Sequence, residues 1–153
     1  MALRQPPWSI EYFQRHASDD PDQSVPGDDF LKSCPESVSL KIRAVLQSVA
    51  EAPPPSFAGG GFWEAMHDDM RGYYEVRVPG PKRRSDKGPK KRLYRLFCLL
   101  ERNGASVGLD GPSLIIVDGR DKPVATALPA KEYEAVKELG TEYLSRKPRS
   151  VWR

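Results

Sequence analysis

Residues 72–100 constrain this chain more than any other stretch. They open with Gly72-Tyr73-Tyr74-Glu75-Val76-Arg77-Val78, pass through a long basic loop and close with Arg92-Leu93-Tyr94-Arg95-Leu96-Phe97-Cys98-Leu99-Leu100. At each end β-branched or aromatic residues alternate with arginines at period two. The pattern predicts two strands, about 73–78 and 93–100, of an antiparallel pair with the arginines on one face. That face is the first place to look for function.

The 153 residues suit one domain with a real core, and the 15 prolines and 12 glycines fall mostly between candidate elements. A net charge of +3 is only mildly basic, so distribution says more than the total. Between Arg71 and Arg102 lie eleven Lys or Arg against three acids, Glu75, Asp86 and Glu101. Such a local excess suits a polyanion, because each neutralised phosphate releases counterions. Cys34 and Cys98 have neither CxxC nor His-paired spacing, which predicts free thiols, a reducing compartment and no metal or other cofactor. No apolar run is long enough to span a bilayer and no signal-peptide core stands at the N-terminus, so the expectation is a cytoplasmic protein without a membrane partner.

Trp8-Ser9-Ile10-Glu11-Tyr12-Phe13 alternates loosely and predicts a first strand with Trp8, Ile10 and Tyr12 on one face. Residues 15–27 are acidic and rich in Pro and Ser, and read as a loop. Asp28 or Asp29 is placed to cap a short helix through Leu31. Ser33-Cys34-Pro35-Glu36 then offers a capping box for a second helix, whose apolar face is Val38, Ile42, Val45, Leu46 and Val49, ending before Pro53. The glycines of 56–61 lack the Lys-Ser or Lys-Thr of a phosphate loop and read as a connector. Residues 62–70 are expected to pack as a lid on the sheet edge, with His67 in a surface turn. The loop at 79–91 carries Lys82, Arg83, Arg84, Lys90 and Lys91, with Arg92 just beyond. It reads equally as a finger for a nucleic-acid groove or as a solvated tip. Ser113-Leu114-Ile115-Ile116-Val117-Asp118 predicts a buried strand that Gly119 ends, with Arg120 and Lys122 aimed outward. Tyr133, Val136, Leu139 and Tyr143 trace a final helix with both tyrosines as packing residues, before a frayed basic tail at 147–153 in which Trp152 is the residue able to dock.

The resulting order is β-α-α-β-β-β-α, an α+β fold with a small antiparallel sheet. Four segments in it resemble the RelE/ParE toxin superfamily, and more narrowly its HigB-like, phage-derived Gp49-like branch. They are Asp29-Phe30-Leu31-Lys32-Ser33-Cys34-Pro35, Tyr74-Glu75-Val76-Arg77-Val78, Tyr94-Arg95-Leu96-Phe97 and Asp118-Gly119-Arg120-Asp121-Lys122-Pro123. The resemblance implies a RelE-like fold across one domain, 1–153. It also implies the toxin of a type II toxin–antitoxin pair, an endoribonuclease that cuts mRNA on the ribosome and is held by a small antitoxin, typically of helix-turn-helix type.

Such cleavage needs no metal: the RNA 2′-hydroxyl attacks its neighbouring phosphate, with a base, an acid and cations assisting. By position in the motifs, the resemblance implies Arg77, Arg95, Arg120 and Lys122 as the phosphate-stabilising set, Lys122 or Arg120 also as a proton donor. Lys82, Arg83, Arg84, Lys90, Lys91 and Arg92 would help bind RNA. Tyr94 alternates to the opposite face from Arg95 and reads as core. The family's tyrosine or histidine shortly after the last strand has no counterpart in 124–128, and Asp118 stands where the branch often has histidine. The general base is therefore unassigned, and a non-catalytic binding module of the same fold stays open beside the enzyme. A gyrase-directed, ParE-like toxin is a third reading. For Arg95, Glu75 and Glu101 are the expected carboxylate partners.

Overall fold

The computed structural model describes residues 6–52, 61–88 and 91–153. Lys90 and most of the glycine connector at 56–61 lie outside the described residues. The elements in order are β1 (Ser9–Tyr12), α1 (Pro26–Ser33), α2 (Glu36–Glu51), β2 (Trp63–Ala65), β3 (Tyr73–Gly80), β4 (Arg92–Glu101), β5 (Ser113–Pro123) and α3 (Ala130–Leu144), with short 3-10 turns at Asp68–Met70 and Gly104–Val107. The five strands form one sheet in the order β1-β5-β4-β3-β2.

That sheet is mixed, which corrects the antiparallel expectation: β1 runs parallel to β5, while every other neighbouring pair is antiparallel. A parallel pair needs a long crossover, and α1, α2 and the β2–β4 meander supply it. The fifth strand is β2, which falls in the segment expected to be a lid. Three residues long, it caps the β3 edge.

Strand alternation gives the sheet two apolar faces, and helices cover both. On one side Val76, Val78, Tyr94, Leu96 and Cys98 meet Phe30 and Leu31 of α1 and the full predicted stripe of α2, Val38, Ile42, Val45, Leu46 and Val49, all buried. Trp8, Ile10 and Tyr12 pack on this side too, as the β1 pattern requires. On the other side Tyr73, Phe97, Leu99, Ile115 and Val117 meet Val136 and Tyr143 of α3 together with Phe13 and Val151. Apolar burial on two faces explains why a chain of 39% hydrophobic residues encloses a full core. Cys98 is fully buried and Cys34 half-buried, both as free thiols, and burial pushes the Cys34 thiol up to about 11.

Local details differ from the sequence expectation for identifiable reasons. The capping box does not form, because the Ser33 hydroxyl donates back to the Phe30 carbonyl at 2.7 Å and Pro35 itself stands at the start of α2. Asp28 lies in the first turn of α1, whose Pro26 occupies the opening position, and pairs with Lys32 at 2.8 Å. The tail is docked rather than frayed: Val151 bridges to Phe13, the Trp152 N–H donates to the Tyr12 carbonyl at 2.8 Å, and Arg149 pairs with Glu101 at 2.7 Å. Glu101 is thereby committed to Arg149 and the Tyr143 hydroxyl, not to Arg95.

The strand at Asp118-Gly119 also continues. β5 runs on to Pro123, so Arg120 and Lys122 are strand residues, not part of a turn. Gly119 is selected for close approach: a Cβ there would collide with the Phe30 ring of α1. A glycine read as punctuation is instead a packing site.

Candidate functional site

Register converts three scattered arginines into one row. Arg77 of β3 lies opposite Arg95 of β4, and Arg95 lies opposite Arg120 of β5. Directly opposed residues share a face, so all three side chains leave the sheet on the α3 side, across about 10 Å at ordinary strand spacing. A β-bulge makes this possible. Phe97 pairs with Asp118 but Cys98 pairs with Ile116, leaving Val117 as the extra residue. Were Val117 paired in regular alternation with no bulge, every later residue of β5 would change face and Arg120 would turn towards α1 and α2. Lys122 sits one row further along β5, opposite Leu93 and on the same face.

Three guanidinium groups stacked across a sheet repel unless counter-charges intervene, and four carboxylates surround them. Arg77 donates from Nη1 to Glu64 at 2.9 Å, with Glu75 3.6 Å from its Nε. Arg120 donates from Nε to Glu132 at 2.7 Å and from Nη1 to Asp118 at 2.5 Å. Each outer arginine thus holds one buried carboxylate, Glu75 or Asp118, and one more exposed, Glu64 or Glu132. The central Arg95 differs: its Nη1 donates to the Tyr133 hydroxyl at 2.7 Å.

Tyr133 therefore belongs to the site as well as to the core, where its ring meets Phe97 edge-on. Its helical spacing alone reads as packing, and residues 124–128 directly after the strand hold no tyrosine. The first turn of α3 places Tyr133 at the site from ten residues beyond Pro123. Its neighbour Glu132 on Arg120 was missed for the same reason, and Glu64 because β2 was not foreseen.

Burial acts on the inner carboxyls. Glu75 is 5% exposed, and its Oε2 has no hydrogen-bond partner among the described residues. Burial pushes its carboxyl up to about 7, against the pull of Arg95 and Arg77 and with the help of a hydrogen bond to the Glu64 carboxylate and that group's charge. Burial also raises Asp118, with Arg120 opposing. These two groups hold the arginines from beneath; Glu64, Glu132 and Tyr133 meet them from the solvent side.

The basic loop forms a separate cluster on the other face. Asp121 lies opposite Tyr94, whose side chain is fully buried with its hydroxyl donating to the Pro81 carbonyl at 2.8 Å. Arg83 grips the Asp121 carboxylate through two bonds of 2.8 and 3.0 Å and reaches the Ser33 carbonyl at 3.1 Å. Arg92 donates to the same carboxylate at 2.7 Å and to Asp86 at 2.5 Å. Of the predicted RNA contacts, Arg83 and Arg92 are thus brought together with carboxylates on the α1–α2 side, away from the row. Lys82, Arg84 and Lys91 remain exposed, Lys82 donating to the Gly88 carbonyl at 2.8 Å. Two acids of the 15–27 segment are engaged elsewhere: Asp19 pairs with Arg146 at 3.0 Å and Asp20 accepts from Ser24 at 2.7 Å.

Beside the row, a cleft of about 360 Å³ opens between residues 66–70 and the start of α3, with Tyr133 in its lining. Among the described residues no three His, Cys, Asp or Glu side chains are grouped to hold a metal ion. No helix among them is long and apolar enough to cross a membrane. Compared with known proteins, the chain matches no family model, no curated protein and no solved structure.

Proposed function

We propose that this chain is an endoribonuclease toxin with a RelE-like fold, of the HigB-like kind, which cuts mRNA on the ribosome and is neutralised by a small helix-turn-helix antitoxin in the cytoplasm. The observation that carries the reading is the row Arg77, Arg95, Arg120 with the Tyr133 hydroxyl on its centre. Attack of a ribose 2′-oxygen on the adjacent phosphorus forms a P–O bond and breaks the bond to the 5′-oxygen. Negative charge grows on the phosphoryl oxygens between those events. Aligned guanidiniums stabilise that charge best because they are already oriented. The 2′-hydroxyl gives up its proton to water, and the Tyr133 hydroxyl gives its proton to the departing 5′-oxygen and regains one from water. Glu75 and Asp118, buried beneath, orient the arginines instead of touching RNA.

To reach the row, a phosphate displaces Glu64 and Glu132 from Arg77 and Arg120. Both are partly exposed, so water meets them when they leave. The test adds purified protein to translating ribosomes and maps transcript ends. Cut mRNA with wild type, and intact mRNA with Arg95→Ala, is the expected result; equal transcript integrity in the two ends the enzyme reading.

One feature favours a second reading. Four carboxylates face three arginines, a balance that suits a module engaging RNA or a partner protein without cleaving. RNA retained on the wild-type protein with unbroken ends, and absent from Arg95→Ala, identifies that case.

A further inference from the structure

We propose that the cleft beside the arginine row is a nucleobase subsite that seats a guanine of the RNA strand whose phosphate lies on the row. The inference rests on the ribonuclease reading and adds what the site selects. Tyr133 joins the two regions: its hydroxyl meets Arg95 at 2.7 Å while the residue lines the cleft. A phosphate on Arg95 therefore brings its own nucleoside to the mouth of the cleft.

The lining is suited to one flat heteroaromatic ring. The buried Met70 and half-buried Met66 supply apolar, polarisable surface, and the rings of Tyr133 and His67 offer stacking surfaces for a base. In the wall carrying His67 the non-glycine Asp68 stands at φ +54°, in the left-handed region, before the turn closes at Gly72. Backbone of this kind collects at ligand sites.

The polar rim decides which base. Asp68 and Asp69 line the wall of the 66–70 segment, and across from them Glu134 and Lys137 stand three residues apart on α3, a spacing that sets one carboxylate and one ammonium next to each other. Guanine presents two adjacent N–H donors and then the O6 acceptor along its pairing edge. A carboxylate accepts the first two and an ammonium donates to the third. Adenine would set its N1 lone pair against the carboxylate, and uracil and cytosine each lack the paired donors.

Four 2′-O-methylated RNA hexamers, identical except for one central G, A, C or U, test this by equilibrium binding to the full chain. The G hexamer is expected to bind at least about tenfold more tightly than the A hexamer. In Glu134→Gln that preference should shrink to within about twofold, since the amide offers a donor where guanine needs an acceptor. Equal binding of all four hexamers, still abolished in Arg95→Ala, overturns the guanine subsite and leaves the ribonuclease reading standing. No binding of any hexamer overturns the guanine subsite, while the ribosome-dependent ribonuclease reading falls only if transcripts also stay intact on translating ribosomes. Tighter binding of free guanosine monophosphate than of the G hexamer overturns the strand subsite in favour of a free nucleotide.

Discussion

The two arginine clusters of this protein lie on opposite faces of one sheet and are built on opposite plans. In the loop cluster, Arg83 and Arg92 converge on a single carboxylate, Asp121. Burial alone would raise that carboxyl, and the Arg83 and Arg92 hydrogen bonds overcome it to hold the group below its ordinary range. Arg92 does the same for Asp86. In the row, each outer arginine keeps a private carboxylate at its solvent side, and the buried carboxyls beneath are pushed up. Cations sharing one half-buried anion make a latch; cations with exchangeable outer partners are the arrangement that the proposed phosphate site requires.

On the proposed ribonuclease reading, the largest effect that separates them is on cleavage. Arg95→Ala should lower RNA cleavage about 100- to 1000-fold, the usual cost of removing a preorganised charge-stabilising donor, with little change in thermal midpoint. Arg83→Ala should leave cleavage within about twofold. A drop in cleavage for Arg83→Ala as deep as for Arg95→Ala would break the distinction between latch and site.

The next effect runs the other way, on stability. Asp121→Ala leaves Arg83 without its carboxylate and Arg92 with Asp86 alone. Partial exposure of Arg83 discounts the cost of a fully buried pair to about 2 kcal/mol. Urea unfolding measures it, and cleavage per folded molecule should be unchanged. Because the folded Asp121 carboxyl lies below its unfolded value, its contribution is present above the ordinary carboxylate range and fades as pH falls through the folded pKa.

These differences were only partly legible in the sequence. Period-two alternation located β3 and β4 and put Arg77 and Arg95 on one face, because side-chain direction follows directly from strand geometry. The α2 stripe was equally plain. Arg120 was not, since its face depends on the extra residue Val117, and a bulge leaves no mark in a run of four aliphatics. Gly119 misled because glycine ends strands and also admits close neighbours, and only the Phe30 ring shows which applies. Tyr133 was read as core, correctly for its ring; its hydroxyl reaches the site only because α3 crosses the sheet beside Arg95. The loop's charge density was visible, but not that Asp121, far along the chain on β5, would bind two of its arginines.

A smaller effect sharpens the row from beneath. The folded Glu75 carboxyl titrates at about 7, above its ordinary value of 4.5. Between those values the folded state holds the proton that the unfolded state has released, so stability falls as pH rises and the decline is complete above 7. Glu75→Gln removes this penalty. It should gain about 1–2 kcal/mol over wild type at pH 8 and nothing at pH 4, by urea unfolding at each pH. Equal gains at both would place the effect in packing and not in the charge.

The smallest effect concerns the loop tip. Arg84 and Lys87 are exposed, and among the described residues neither forms a salt bridge, so Arg84→Ala with Lys87→Ala should change stability by less than about 0.5 kcal/mol. If the tip also stands clear of bound RNA, the double variant keeps wild-type affinity and the same slope of affinity against salt. Every phosphate that the wild-type tip neutralises would instead flatten the variant's slope by about one. A flattened slope with unchanged cleavage sites would make the tip a grip on the RNA outside the row, and would extend the footprint around the sheet edge to the latch side.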